Sequence, residues 1–283
     1  MSNRSKLPDA SSVDPRTLPA PGSAVFLDPT LTFWVRGGRG RTGGSTVADL
    51  EIQRGRYQGR RVKPLDGDLR SRTLSHLYPS KDAAGVSILD GASSPTSEDL
   101  PAMKGWLGSA LDLMIEQAVS CSLDLGGGDR LLQEYGRELA IGEFCRDFNV
   151  GLTAAFNLGP DLEDLYHVVE VLRSKVLLGA RVLLLLNEGV IRQGQTTDGV
   201  FEPIVAHPEF QALLAEGAST ILVPRLTCLD QLRERGLGFY EAAEGGLDKH
   251  GRKASPTVQH MTKAWLKAID RQHDQQGTQG WRL

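Results

Sequence analysis

Short apolar runs with no polar alternation recur along the chain, and each is followed by a helical stretch. The clearest is Arg181-Val-Leu-Leu-Leu-Leu186. A strand with one wet face alternates polar and apolar residues, so an uninterrupted run has to be covered on both sides. Leu31-Thr-Phe-Trp-Val35, Leu152 to Leu158 and Thr220 to Val223 read as strands on the same grounds. Arg61-Val-Lys-Pro-Leu65 reads as a further strand ending at Asp66, weakened by Pro64, which removes a ladder donor. Helical spacing runs from about Ser45 to Gln58, Asp99 to Ser120, Arg130 to Leu139, Leu162 to Leu178, His207 to Ala215 and Val258 to Ile269. Strands alternating with helices of ten or more residues predict an α/β fold: a three-layer, doubly wound, mostly parallel sheet with helices on both faces. Residues 1–22, rich in Pro, Ser and charge, cannot recover their ordering entropy by burial and are expected to be a disordered tail. Residues 23–283 are then expected to form a single domain, with 79–97 as a surface loop.

A chain of 283 residues can bury a core without disulfides or metal. Its 32 basic and 35 acidic side chains exclude a globally basic nucleic-acid coat, although a local patch is compatible with them. Arg54, Arg56, Arg60, Arg61 and Lys63, with Arg70 and Arg72, form one such basic run. It reads first as a solvated face and second as a contact to nucleic-acid backbones. Cys121, Cys145 and Cys228 are far apart and lack metal-ligand spacing, which points to a reducing, cytoplasmic setting. The longest apolar run, Val182 to Leu186, is far short of a membrane span.

The stretch Arg36-Gly-Gly-Arg-Gly-Arg-Thr-Gly-Gly-Ser-Thr46 lies between a buried strand and a helix start. Glycines there let backbone N–H groups close on anionic oxygens, and the helix dipole adds a favourable field. Ser45 and Thr46 place hydroxyls in the first helical turn, where a P-loop carries its magnesium ligand. The same stretch satisfies the dinucleotide fingerprint through Gly38, Gly40 and Gly43, with Asp66 ending the second strand. A Rossmann protein binding NAD(P) is therefore one alternative.

The segments that follow favour another family. The turn resembles the deviant P-loop of ParA/MinD/MobD-type ATPases, with Arg39 at the signature-lysine position and Gly40, Gly43, Ser45 and Thr46 in place. Val62 to Leu74 resembles that family's strand-Asp-x-Asp segment, and Ser122-Leu-Asp-Leu-Gly-Gly-Gly-Asp129 its Walker B strand and glycine switch. Arg181 to Gly189 resembles the strand ending in an adenine-reading asparagine, and Thr220 to Leu226 the last strand with its Pro-Arg turn. The segments stand in family order from about residue 31 to 226. The departure is Gly44, which replaces the P-loop lysine.

The resemblance implies a P-loop NTPase-like fold that binds ATP and Mg2+. It implies phosphate contact by Gly38, Gly40, Arg41, Thr42, Gly43, Gly44, Ser45 and Thr46, and base contact by Asn187, Pro224 and Arg225. Ser45, Asp66 and Asp124 would lie in the metal shell, Asp66 and Asp68 by the attacked phosphate, and Arg39 would reach the nucleotide of a dimer partner. The resemblance also implies a nucleotide-dependent homodimer; within the group, Leu123 to Asp129 and the arginine-rich loop look most like proteins of plasmid maintenance, conjugal transfer or mobilisation, which implies DNA or a transfer or partition protein as partner. With no lysine, a non-hydrolysing adaptor of the same fold is the second alternative.

Overall fold

The computed structural model describes residues 31–127, 130–192 and 194–283. The expected tail over 1–22 lies outside the described residues, as does Asp129, the end of the segment that resembles a Walker B strand and glycine switch. A single six-stranded, all-parallel sheet in the order β2-β3-β1-β4-β5-β6 organises the rest. The strands are β1 (Leu31–Gly37), β2 (Val62–Asp66), β3 (Ser120–Asp124), β4 (Val150–Leu158), β5 (Arg181–Asn187) and β6 (Ser219–Val223). Pro64 is tolerated because β2 is the edge strand of the sheet, and in the isolated bridge on its outer side Pro64 supplies only its carbonyl, to the Ser93 N–H.

Strand parity explains the unbroken apolar runs. Phe33 and Val35 of β1, and Leu184 and Leu186 of β5, enter one core. Trp34, Leu183 and Leu185 point the other way and enter a second. Helices α3 (Leu100–Glu116), α4 (Ile141–Asp147), α5 (Leu162–Arg173), α6 (Thr197–Val205) and α7 (Pro208–Ala215) cover the first face. The second is covered by α1 (Gly44–Tyr57), α2 (Thr73–Leu77), α8 (Leu229–Arg235), α9 (Phe239–Ala243) and α10 (Pro256–Gln275). The chain steps from β1 to β2 past β3 through α1 on one face, and every later crossover returns on the other. That division is what right-handed connections require when the winding direction reverses. The reversal at β1 leaves a crevice at the C-terminal strand ends, where ligands bind in open α/β sheets.

The sequence missed α2, α4, α8 and α9, which are short, and α6, whose pattern Pro203 interrupts. It also ran α3 too far: the helix stops at Glu116, and the chain turns through Ala118 at φ +49° before β3 begins at Ser120. The expected helix over 130–139 contains one wide π-type turn at Leu132–Gly136. The long α5 expectation ends at Arg173, because Lys175 takes a left-handed conformation at φ +60°.

Candidate functional site

Arg36 is the next-to-last residue of β1, and it shares the strand face of Trp34, toward α1. Its side chain therefore folds under the glycine turn and not into solvent. It is 2% exposed. Its Nη2 donates to the Arg39 carbonyl and to Thr42 Oγ1, each at 3.1 Å, and its Nη1 donates to the Gly126 carbonyl. Nη1 also lies 3.6 Å from Asp124 Oδ1, while Nε has no partner among the described residues. Thr42 Oγ1 in turn donates to the Arg39 carbonyl at 2.9 Å, bracing the turn from within.

The turn ends at Gly43, the N-cap of α1, whose φ of +77° suits a residue without a Cβ. No side chain caps this helix and no acid stands in its first turn, so its positive end is uncompensated. Among the described residues, the N–H groups of 39–45 donate to nothing in the protein. Gly38 is buried, Gly40 and Arg41 are exposed, and Ser45 and Thr46 are half-buried in the first turn. Arg41 holds the turn at φ +69°.

Asp66 and Asp124 end β2 and β3 as register partners. Asp66 Oδ2 accepts from the Ser75 N–H of α2 at 2.7 Å. Its Oδ1 is buried with no partner among the described residues. Burial, reinforced by the neighbouring Asp124, holds the Asp66 carboxyl above its ordinary range. Asp124 Oδ1 accepts from the Gly126 N–H at 3.0 Å. Asp68 accepts from the Arg70 and Ser71 N–H groups, and its carboxylate lies so close to Gly126 that a Cβ there would come within 2.5 Å of Oδ2. Arg36, Asp66, Asp68 and Asp124 thus converge on one side of the turn.

Asn187 closes the other side. Its Oδ1 accepts from the Gly189 N–H at 2.9 Å, and its Nδ2 donates to the Thr42 carbonyl at 2.7 Å. It is both the cap of the turn after β5 and a strut to the glycine turn. Arg225, beyond β6, clamps that same turn by donating to the carbonyls of Glu188 and Ile191. The Pro224 carbonyl accepts from the Trp265 indole at 2.7 Å. Arg39 is directed away from the acids of β2 and β3, lying 3.5 Å from both Asp161 and Asp164 at the start of α5. A cleft of about 440 Å³ opens beside it, lined by Gly40, Gly127, Glu163, Tyr166, His167 and Glu170. Glu163 and Glu170 give that cleft the wrong charge to extend a phosphate site.

The basic run begins in the last turn of α1 and divides: Arg60, Arg61, Arg70 and Arg72 are exposed, as expected of a solvated face, while several of the run make bonds to main-chain carbonyls. Arg54 donates to the Leu283 carbonyl, Arg56 to those of Val62 and Asp90, Arg61 to Gln117 and Lys63 to Leu89. These cations clamp loops to the body of the protein. The three cysteines are buried and unpaired. No helix among the described residues is long and apolar enough to cross a membrane.

A polyphosphate fits the turn, given unpartnered amides, an uncapped helix start and a buried guanidinium with a spare N–H. No cluster of three or more metal-ligating side chains stands among the described residues. A nucleotide-bound Mg2+ needs only one or two carboxylates besides phosphate and water. The orphaned Asp66 Oδ1 beside Asp124 meets that need.

No protein-family model matches the chain, and no curated protein does. Among solved structures it is similar to the MinD cell division protein of Aquifex aeolicus, at 13% identity over 83% of this chain and 97% of that one, TM-score 0.42. It is also similar to a nucleotide-binding protein of Archaeoglobus fulgidus in complex with ADP (17% identity, 73% and 87% covered, TM-score 0.44). A third is chloroplast FtsY of Physcomitrella patens (15% identity, 68% and 58% covered, TM-score 0.39). At such distances the chemistry has to be argued from this chain's own residues.

Proposed function

We propose that the chain binds ATP–Mg2+ at the glycine turn and acts as a ParA/MinD-like dimerising switch, serving plasmid maintenance or conjugal transfer. The observation that carries the reading is the convergence of Arg36, Asp66, Asp68 and Asp124 beside a turn whose amides are unpartnered. The N–H groups of 39–45, with Gly38, Gly40, Gly43 and Gly44 admitting close approach, bind phosphate oxygens. Ser45, Asp66 and Asp124 hold the metal, which when bound supplies charge neutralisation on the phosphates. Asp66 and Asp68 orient the attacking water. Asn187, Pro224 and Arg225 frame the base. Arg39 and Arg41, the exposed arginines of the turn, face the second copy of the chain, and DNA or a transfer protein is the cargo. The cytoplasm is the expected compartment.

A second reading, an adaptor that binds nucleotide without turnover, is favoured by Gly44 and by the Arg36–Asp124 pair, which occupies a carboxylate the metal would use. Light scattering with ATP–Mg2+, ADP–Mg2+ and no nucleotide, followed by phosphate release, separates the two. The switch doubles its mass only with ATP and then releases phosphate. Nucleotide binding without phosphate release identifies the adaptor, a mass indifferent to nucleotide rejects the switch, and no binding heat with ATP–Mg2+ rejects both.

A further inference from the structure

We propose that Arg36 is the cation of the phosphate cradle, delivered from β1 to the place where a P-loop puts the lysine that Gly44 replaces. The proposal rests on reading the turn as a nucleotide site. In a P-loop the lysine leaves the first turn of the helix and reaches the β- and γ-phosphates. Here the first bond of any side chain at position 44 would run into Arg36. A Cβ built on Gly44 falls far inside van der Waals contact with Nε, Cζ and Nη2 of that guanidinium. The residue carrying the charge is eight positions earlier in the chain, yet its head lies where the side chain of residue 44 would begin. The missing lysine and the buried arginine are therefore one arrangement: only glycine at 44 leaves room for Arg36.

The head is held for such a role. Two carbonyls and one hydroxyl of the turns around it fix its plane, at Arg39, Gly126 and Thr42. Its charge is only partly met, by Asp124 at 3.6 Å, and Nε has no partner among the described residues. A buried cation with an unmet N–H is costly, and a phosphate oxygen would satisfy it. The other two arginines of the turn do not compete for the place. Arg39 is engaged with Asp161 and Asp164, and Arg41 is exposed.

The test uses the full chain and ATP–Mg2+ binding, read by calorimetry and by anisotropy of a fluorescent ATP analogue, with thermal melts to check folding. Arg36→Ala should weaken binding about ten- to hundredfold. Gly44→Lys should do the same, because the first side-chain atoms of the lysine run into the Arg36 guanidinium. The double variant Arg36→Ala/Gly44→Lys should recover to within about threefold of wild type, since the space is cleared and a cation again reaches the cradle. Gly44→Ala adds only a methyl group against the guanidinium and should weaken binding even if Arg36→Ala fails to fold. Equal or tighter binding by folded Arg36→Ala would make Arg36 a plug and overturn the proposal. So would unchanged binding by Gly44→Ala, or a folded double variant that does not recover. No binding by the wild type is a separate result, which removes the nucleotide site itself.

Discussion

Asp66 and Asp124 face each other across the last register pair of two parallel strands, and only Asp124 has a cation beside it. Asp66 is left with a buried, unpartnered oxygen, so its ionised form is disfavoured in the empty protein. A carboxyl whose folded pKa is raised contributes stability below its unfolded pKa and loses it as pH rises through the folded value. At neutral pH this carboxylate should therefore weaken the fold. Asp66→Asn keeps an acceptor for Ser75 and removes the charge. Its Tm at pH 7 should rise, by about 2–4 °C for each kcal/mol gained, while Mg2+-dependent nucleotide affinity falls. Scanning calorimetry with and without ATP–Mg2+ checks both directions, and a lowered Tm in the empty protein contradicts the assignment.

Gly43 and Asn187 are coupled through the turn. A Cβ at Gly43 would strike Asn187 Nδ2, and its φ of +77° is strained for any other residue. Gly43→Ala should cost about 2–3 kcal/mol, from backbone strain plus the displaced bond to the Thr42 carbonyl. Asn187→Ala removes the obstacle as well as the bond. The double variant should thus be less destabilised than the sum of the two singles, by about 1 kcal/mol in a denaturant-melt cycle. Strict additivity would mean the strut bears no load.

How much of this was legible follows strand parity. The unbroken runs marked β1, β4, β5 and β6, whose two faces both pack on core, and Asp66, Asp124 and Asn187, which end β2, β3 and β5, fell along one end of the sheet. Which arginine of the turn goes inside was harder to read. Arg36, Arg39 and Arg41 look alike as a cluster in a glycine loop. The available signal was period two: Arg36 alternates with Val35 and shares the parity of Trp34, so it had to point toward the helix that follows the turn. Nothing local marked Arg54 and Arg56 as clamps within an otherwise exposed basic run, because their partners include carbonyls far along the chain, at Leu283 and Asp90.

His273 offers a pH test away from the turn. Burial, helped by the Arg282 charge, pushes its pKa down to about 4. A depressed pKa contributes stability above the unfolded value near 6.5 and loses it as pH falls toward 4. Acidification across that window should cost up to about 3 kcal/mol from this one side chain. His273→Gln should flatten the stability profile between pH 6.5 and 4 in urea melts. An unchanged slope would show that the loss comes from other groups.

The Arg282–Glu51 pair is fully buried, with Nη2 2.6 Å from Oε1, and Asp270 takes the remaining Nη1 at 2.7 Å. Burial alone would raise the Glu51 carboxyl, but the Arg282 charge and hydrogen bonds hold it below its usual range. Arg282→Ala should cost about 3–5 kcal/mol by stranding Glu51, and Arg282→Met with Glu51→Gln should cost much less. Urea melts of the two variants make the comparison. Equal losses would place the energy in packing and not in the uncompensated charge.

The central claim is that the glycine turn binds a nucleoside triphosphate without a lysine at position 44. It is tested most directly by titrating wild-type protein with ATP by calorimetry, in the presence and absence of Mg2+. Saturable heat that strengthens with Mg2+ is the predicted result. No heat at millimolar ATP–Mg2+, from protein that melts cooperatively, would contradict it.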